Sequence, residues 1–218
     1  METLRDRVTG FTSNPTLCRQ AGVTDYAEWI RQAVERFPEY ALSVEVVADD
    51  FDEMADQAMV ISEYGDSVRD SIYVKIPVMT CGGSETFDLI SGLSQDDVRV
   101  NVTAVMTVRQ VENAISALES SRGGIVSVFA GRIADTGIDP APLIDFVEYR
   151  PDNVELLWAS VREPLNITQA AAHGWDIITV PPMILAKYDA LTNFDLLEFS
   201  RNTVIQFRDD ALAAGLSL

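Results

Sequence analysis

The chain has 218 residues, a formal net charge of −18, 47% hydrophobic and 23% charged residues, which suits a single domain over residues 1–218 with a real core. The acidic balance excludes non-specific nucleic-acid binding, which needs basic surface, and an anionic substrate would need a local cationic pocket to recruit it. No apolar run approaches the roughly 20 residues of a membrane span, and METLRDRVTG contains no apolar signal core, which points to a cytoplasmic protein without a membrane partner.

A β-rich run covers residues 8–14 (VTGFTSN). The spacing of Tyr26, Trp29, Ile30, Ala33, Val34 and Phe37 predicts a helix over 24–37, with Thr24 as N-cap and Pro38 as the stop. Strand 42–48 (LSVEVVA) follows, then helix 50–64, with Phe51, Met54, Ala58 and Ile61 on one face. Strand 71–77 (SIYVKIP), helix 84–93, strand 98–104 (VRVNVTA) and helix 107–118 come next. Strand 125–131 (IVSVFAG), helix 140–149, strand 154–160 (VELLWAS), helix 166–173, strand 176–181 (DIITVP) and helix 182–192 complete the alternation, and a last helix closes the chain near 194–214.

Several of these strands are near-continuous apolar runs, the pattern of parallel strands covered on both faces. Strands separated by helical stretches indicate successive βα units. Seven strands can be counted where an eight-fold barrel has eight, so the expected fold is a short (β/α)₈ barrel whose first strand is missing from the chain. An open doubly wound sheet is the other arrangement, but no Gly-rich phosphate loop follows the first strand.

Only two lysines occur, Lys75 and Lys187. Lys75 lies between apolar neighbours near the end of its strand, where a barrel opens; burial there disfavours a charged ammonium and frees an amine to act as nucleophile. The plainer alternative is a lysine at a strand edge with its head in water. Other polar residues sit at comparable strand ends: Asn14, Glu45, Asn101, Thr103, Ser127, Arg132, Ser160 and Arg162. Such residues line the mouth of a barrel. Singly, Glu45 could be an edge residue, and Asn14 or Thr103 could cap a helix. Arg132 could pair with Asp135, and Arg162 with Glu163. Cys18 and Cys81 suggest neither a disulfide framework nor a metal site. His173, the only histidine, reads as a group at a helix C-terminus.

The segments FTSNPTL, YVKIPV, VNVTAV, VSVFAGRIADTG, WASVREPLNI and GWDIITVPP, in that order, resemble the transaldolase family, which includes the fructose-6-phosphate aldolases. The resemblance runs from residue 10 to about 185. It implies a barrel enzyme that forms a lysine Schiff base with a ketose phosphate, needs no cofactor or metal, and transfers a dihydroxyacetone unit to an aldose. An aldolase of an unusual sugar pathway and a non-catalytic barrel are the alternatives. By position in the motifs, Lys75 matches the Schiff-base lysine, and Glu45 and Thr103 match the pair that holds the catalytic water. Asn14, Asn101 and Ser127 match donors to the ketose, and Phe129 matches an aromatic wall. Arg132, Ser160 and Arg162 match the phosphate-binding groups. The resemblance also implies sugar-phosphate partners and a homo-oligomer. The family's first strand carries an aspartate that shuttles the proton of bond cleavage. Asp6 lies too close to the FTSNPT motif to fill that role and is expected on the helix entering the strand.

Overall fold

The computed structural model describes residues 7–66, 71–147 and 149–216, so Asp6 lies outside the described residues. The chain divides into two compact units, Met1–Thr179 and Val180–Leu218.

The first unit alternates strands and helices. It runs β1 (Gly10–Thr12), α1 (Pro15–Gln20), α2 (Tyr26–Arg36), β2 (Ala41–Glu45), α3 (Phe51–Asp66), β3 (Ile72–Pro77), α4 (Phe87–Gln95), β4 (Val100–Val105) and α5 (Val108–Leu118). It continues with β5 (Gly124–Val128), α6 (Ala130–Ala134), a 3-10 helix (Ala141–Phe146), β6 (Val154–Trp158), α7 (Leu165–Ala172) and β7 (Ile177–Ile178). The seven strands form one sheet in the order β1-β2-β3-β4-β5-β6-β7. Every described pairing is parallel. This is the α/β fold of the (β/α)₈ barrel type, with seven strands among the described residues.

The sheet curls. Tyr73 on β3 packs against a buried cluster of Ile125, Leu157 and Ala159 from β5 and the β6 end, which Phe129 and Ile177 also join. Side chains of β2 and β4 also meet across β3, where Asn101 donates to Ser43. A barrel interior is built this way, in layers contributed by alternate strands. On the outer face, Val74, Ile76, Val100, Val102, Val126 and Val128 are buried under the helices. Burial on both faces explains why these strands read as continuous apolar runs.

The helices follow their apolar stripes. On α2, Ile30 and Val34 are buried, with Phe37 just beyond the helix end. On α3, Met54, Ala58 and Ile61 are buried, but Phe51, placed on the same stripe, is 40% exposed at the helix start. The α2 N-cap is Asp25 and not Thr24; its carboxylate accepts from the Glu28 N–H at 3.0 Å. Expected helix 140–149 is a short 3-10 helix, because Pro142 supplies no N–H and Pro151 follows closely. Strand 125–131 stops at Val128, and Phe129 turns the chain into α6. Two helices went unread, α1 and α6, of 6 and 5 residues; both are too short to show an apolar period.

The second unit holds α8 (Pro182–Leu191) and α9 (Leu196–Ala213), neither with a buried residue. Asp195 caps α9 by accepting from the Leu197 N–H. No described helix is long and apolar enough to cross a membrane.

Candidate active site

The strand register aligns the polar side chains. Glu45 on β2 is the partner of Lys75 on β3, and Lys75 is the partner of Asn101 on β4. Partners in register point to the same face. Lys75 is 5% exposed. Its Nζ donates to Glu45 Oε2 at 2.7 Å and to the Ser13 carbonyl at 2.8 Å. The Lys75 head is therefore buried and paired, unlike a strand-edge lysine with its head in water. The Ser13 backbone is itself tied to β2, where its N–H donates to the Ser43 carbonyl at 2.9 Å.

Asn101, Ser43 and Ser127 form a buried chain beside the lysine. Ser127 Oγ donates to Asn101 Oδ1 at 2.7 Å, and Asn101 Nδ2 donates to Ser43 Oγ at 3.0 Å. Thr103, two residues beyond Asn101, is 2% exposed, and its Oγ1 has no hydrogen-bond partner among the described residues. The β4–β5 register breaks between Val102 and Val105, and Ala104 has φ +62. A bulge here ends the ladder and re-aims the strand beside the polar cluster.

Asn14 caps α1: its Oδ1 accepts from the Leu17 N–H at 2.8 Å, and Pro15 takes the first helical position. Cys18 and Tyr26, not among the candidate site residues read from the sequence, stand behind this corner. The Tyr26 hydroxyl donates to the Glu45 carbonyl at 2.8 Å. Burial, and next the neighbouring Cys18, push the Tyr26 phenol up to about 12. Burial raises the Cys18 thiol too, against the opposing pull of Ser13 and Lys75. A lone cysteine in a six-residue helix carries no sequence signal, so only the fold reveals its place.

The second group of residues lies at the ends of β5 and β6. Arg132 is exposed and its guanidinium sits over the Phe129 ring, 5.1 Å from the centroid. Arg162 is also exposed and pairs with Asp135 at 2.6 Å, an arrangement that neither expected local pair anticipated. Ser160 has φ +65. A Cβ on Gly131 would stand 1.6 Å from the Ser160 carbonyl oxygen, so this crossing of two chains needs glycine.

The turns after three strands are braced in one way, by a side-chain carbonyl from the next helix. Gln57 Oε1 accepts from the Val47 and Ala48 N–H groups, Gln110 Oε1 from Met106 and Thr107, and Asn166 Oδ1 from Arg162 and Glu163. These bonds hold the backbone next to Glu45, Thr103 and Arg162. His173 is the C-cap residue of α7 and faces Asp145 at 3.4 Å. Both cysteines are free. Among the described residues no group of three or more His, Cys, Asp or Glu is arranged to hold a metal ion.

The sequence matches the family model described as Transaldolase/Fructose-6-phosphate aldolase over residues 1–214. The chain belongs to this family. Among its relatives is the "Probable transaldolase" of Dehalococcoides mccartyi, 37% identical over 185 residues, with 83% of this chain and 80% of that protein covered. A Thermoanaerobacter protein of the same name is 30% identical over 218 residues, covering 97% of this chain and 90% of its own. Among solved structures, one described as a dihydrodipicolinate synthase family protein from Coccidioides immitis superposes with a TM-score of 0.51 at 13% identity. That likeness covers 77% of this chain but only 53% of the other, and it concerns the fold alone.

Proposed function

We propose that the chain is a transaldolase-type class I aldolase, in which Lys75 forms a Schiff base with a ketose phosphate and a dihydroxyacetone unit passes to an aldose acceptor. The observation that carries this reading is the buried Lys75 amine, 2.7 Å from the Glu45 carboxylate, in a chain of the transaldolase family.

The chemistry follows from that pair. Glu45 can take a proton from the Lys75 ammonium, leaving a neutral amine whose lone pair attacks the ketose C2 carbonyl. The carbinolamine loses water to give an iminium. A base removes the C4 hydroxyl proton, the C3–C4 bond breaks, and its electrons move to the iminium nitrogen. The aldehyde leaves, and the three-carbon enamine stays on Lys75. Attack of the enamine on an acceptor aldehyde forms a new C–C bond, and hydrolysis then frees the lysine. Thr103 supports a water-handling role beside Glu45: a buried hydroxyl without a partner costs about 1–3 kcal/mol, which a bound water would recover. Asn14 spends its Oδ1 on the helix cap and keeps its NH₂ for a substrate hydroxyl. Asn101 serves as a further donor through its second N–H, and Ser127, whose proton is held by Asn101, orients that amide, with Phe129 as the wall beside them.

Arg132, Ser160 and Arg162 supply the phosphate subsite. The exposed Arg162–Asp135 pair is weakly held, as surface ion pairs are. A phosphate dianion can replace Asp135 with a bidentate contact. This local cationic spot offsets the repulsion that a chain of net charge −18 presents to an anion.

Borohydride reduction in the presence of fructose 6-phosphate tests the reading. A mass increase on the peptide containing Lys75 is expected, and a chain that forms no adduct there overturns it. Omitting the aldose separates the two activities in the family: steady release of free dihydroxyacetone would mark an aldolase. Retained sugar-phosphate binding without an adduct would mark a non-catalytic barrel.

A further inference from the structure

The residues that end β1 leave a gap in its ladder with β2, and one side chain of α2 fills it. On the β1 side of β2, the Ser43 carbonyl accepts the Ser13 N–H at 2.9 Å. Carbonyls two residues apart on a strand face the same neighbour, so the next acceptor on that side is the Glu45 carbonyl, and its regular donor would be residue 15. That residue is Pro15, which has no N–H and already belongs to α1. The Tyr26 hydroxyl takes the place of the missing donor, 2.8 Å from the Glu45 carbonyl oxygen. Building on the Schiff-base reading above, and on the proton-accepting part given there to Glu45, we propose that Tyr26 is a positioning residue. It acts through the Glu45 backbone to hold the Glu45 carboxylate within proton-transfer range of Lys75.

One peptide unit joins Glu45 to Val46. Its N–H donates to the Lys75 carbonyl at 3.1 Å, and its carbonyl accepts from Tyr26. Bonds at both edges fix the plane of the unit, whereas a single bond lets the plane rock about that contact. Glu45 is the last residue of β2, so no later bond of the β1 ladder limits the rocking. Gln57 braces the Val47 and Ala48 N–H groups, but from α3. Rocking turns the Cα–Cβ bond of Glu45 and carries the carboxylate with it, away from its 2.7 Å contact with Lys75 Nζ. Proton transfer works over heavy-atom separations of about 2.6–3.2 Å, so a displacement of about half an ångström decides it.

Tyr26 is itself well held. Its ring stacks on Trp29, with centroids 5.8 Å apart and planes 4° from parallel. Ser13 and Cys18 stand beside its hydroxyl, and burial keeps the phenol protonated far above neutral pH, so it stays a hydrogen-bond donor.

The experiment follows borohydride trapping of fructose 6-phosphate on Lys75 and records both the rate and the final amount of adduct per chain. Tyr26→Phe should slow trapping about five- to tenfold, the worth of one hydrogen bond. The final amount of adduct, and the sugar phosphate concentration at half-maximal rate, should match those of the unsubstituted chain. A merely structural lesion would instead leave fewer chains reacting at the original rate. In a Glu45→Gln background Tyr26→Phe should add no further slowing, since that amide accepts no proton wherever it lies. An unchanged rate in Tyr26→Phe, a smaller final amount reached at the original rate, or equal slowing in both backgrounds overturns the proposal while the Schiff-base reading stands. Full-rate trapping in Glu45→Gln alone overturns it together with the part given to Glu45. No adduct on Lys75 in the unsubstituted chain overturns the Schiff-base reading as well. Should the phenylalanine variant fail to fold, Tyr26→Met, a flexible apolar filler without a hydroxyl, carries the same comparison with the same overturning results.

Discussion

The two ends of the candidate site are built on opposite principles. At the β2–β3–β4 end, Ser43, Lys75 and Asn101 are buried, and Lys75 is closed in by Glu45 and the Ser13 carbonyl. At the β5–β6 end, Arg132 and Arg162 are exposed, and one leans on an aromatic ring while the other holds a replaceable carboxylate. The contrast matches what each end would have to do. Covalent chemistry needs a nucleophile held dry and oriented. Capture of a phosphate needs charge that can reach into solvent and exchange partners.

Substitutions at the buried end should affect every ketose alike, and those at the exposed end only phosphorylated ones. The largest effect is expected from Lys75→Met, which removes the proposed nucleophile: turnover and the trapped adduct should both vanish while circular dichroism still reports the fold. Persistent trapping at another residue would break the comparison at its root. Glu45→Gln should lower kcat by about 10²–10⁴-fold with KM little changed, since the neutral amide cannot take the proton; steady-state kinetics with phosphorylated and unphosphorylated ketoses would show the same loss for both.

Gly131→Ala comes next, because its Cβ would stand 1.6 Å from the Ser160 carbonyl. The β6-end turn must shift, and a displacement of this size can cost up to about 100-fold. That loss should fall on kcat/KM for the phosphorylated ketose and spare the unphosphorylated one. Arg132→Ala should raise KM for the phosphorylated substrate about tenfold, more at low salt than at high. Asp135→Asn should act in the opposite direction and lower that KM by a few fold, because Arg162 loses its competing partner. Equal effects on both substrates would merge the two ends into one.

The smallest effect concerns pH. The Tyr26 phenol is raised from its ordinary 10.0 to about 12 by burial, so the folded chain holds this proton more tightly than the unfolded chain. Its contribution to stability is full below pH 10 and is lost as pH rises through about 12. Tyr26→Phe should therefore flatten the fall of the thermal midpoint between these values, while lowering the midpoint at pH 8 through the lost bond to Glu45. A slope unchanged by the substitution would place the phenol outside this corner.

Local regularities made much of the molecule legible in advance. The α2 stripe from Tyr26 to Phe37, the runs around Val74 and Val126, and the order of the strand-end motifs are all repeated at short range, and a period of 3.6 or 2 shows in any window long enough. A six-residue α1 has no such window. Helix boundaries slipped for a related reason: Thr24 and Asp25 are both good caps, and only the path of the preceding turn chooses Asp25.

The sequence by itself determined the α/β alternation, the parallel apolar strands and the scarcity of lysine that drew attention to Lys75. Tertiary structure alone decided that Glu45 meets an amine 30 positions away, that Asn101 reaches over a strand to Ser43, and that Asp135 takes Arg162. The physical reason is that periodicity assigns a side chain to a face, whereas curl and register decide what stands across from it. Those depend on every strand pairing at once, and no short stretch of residues encodes them.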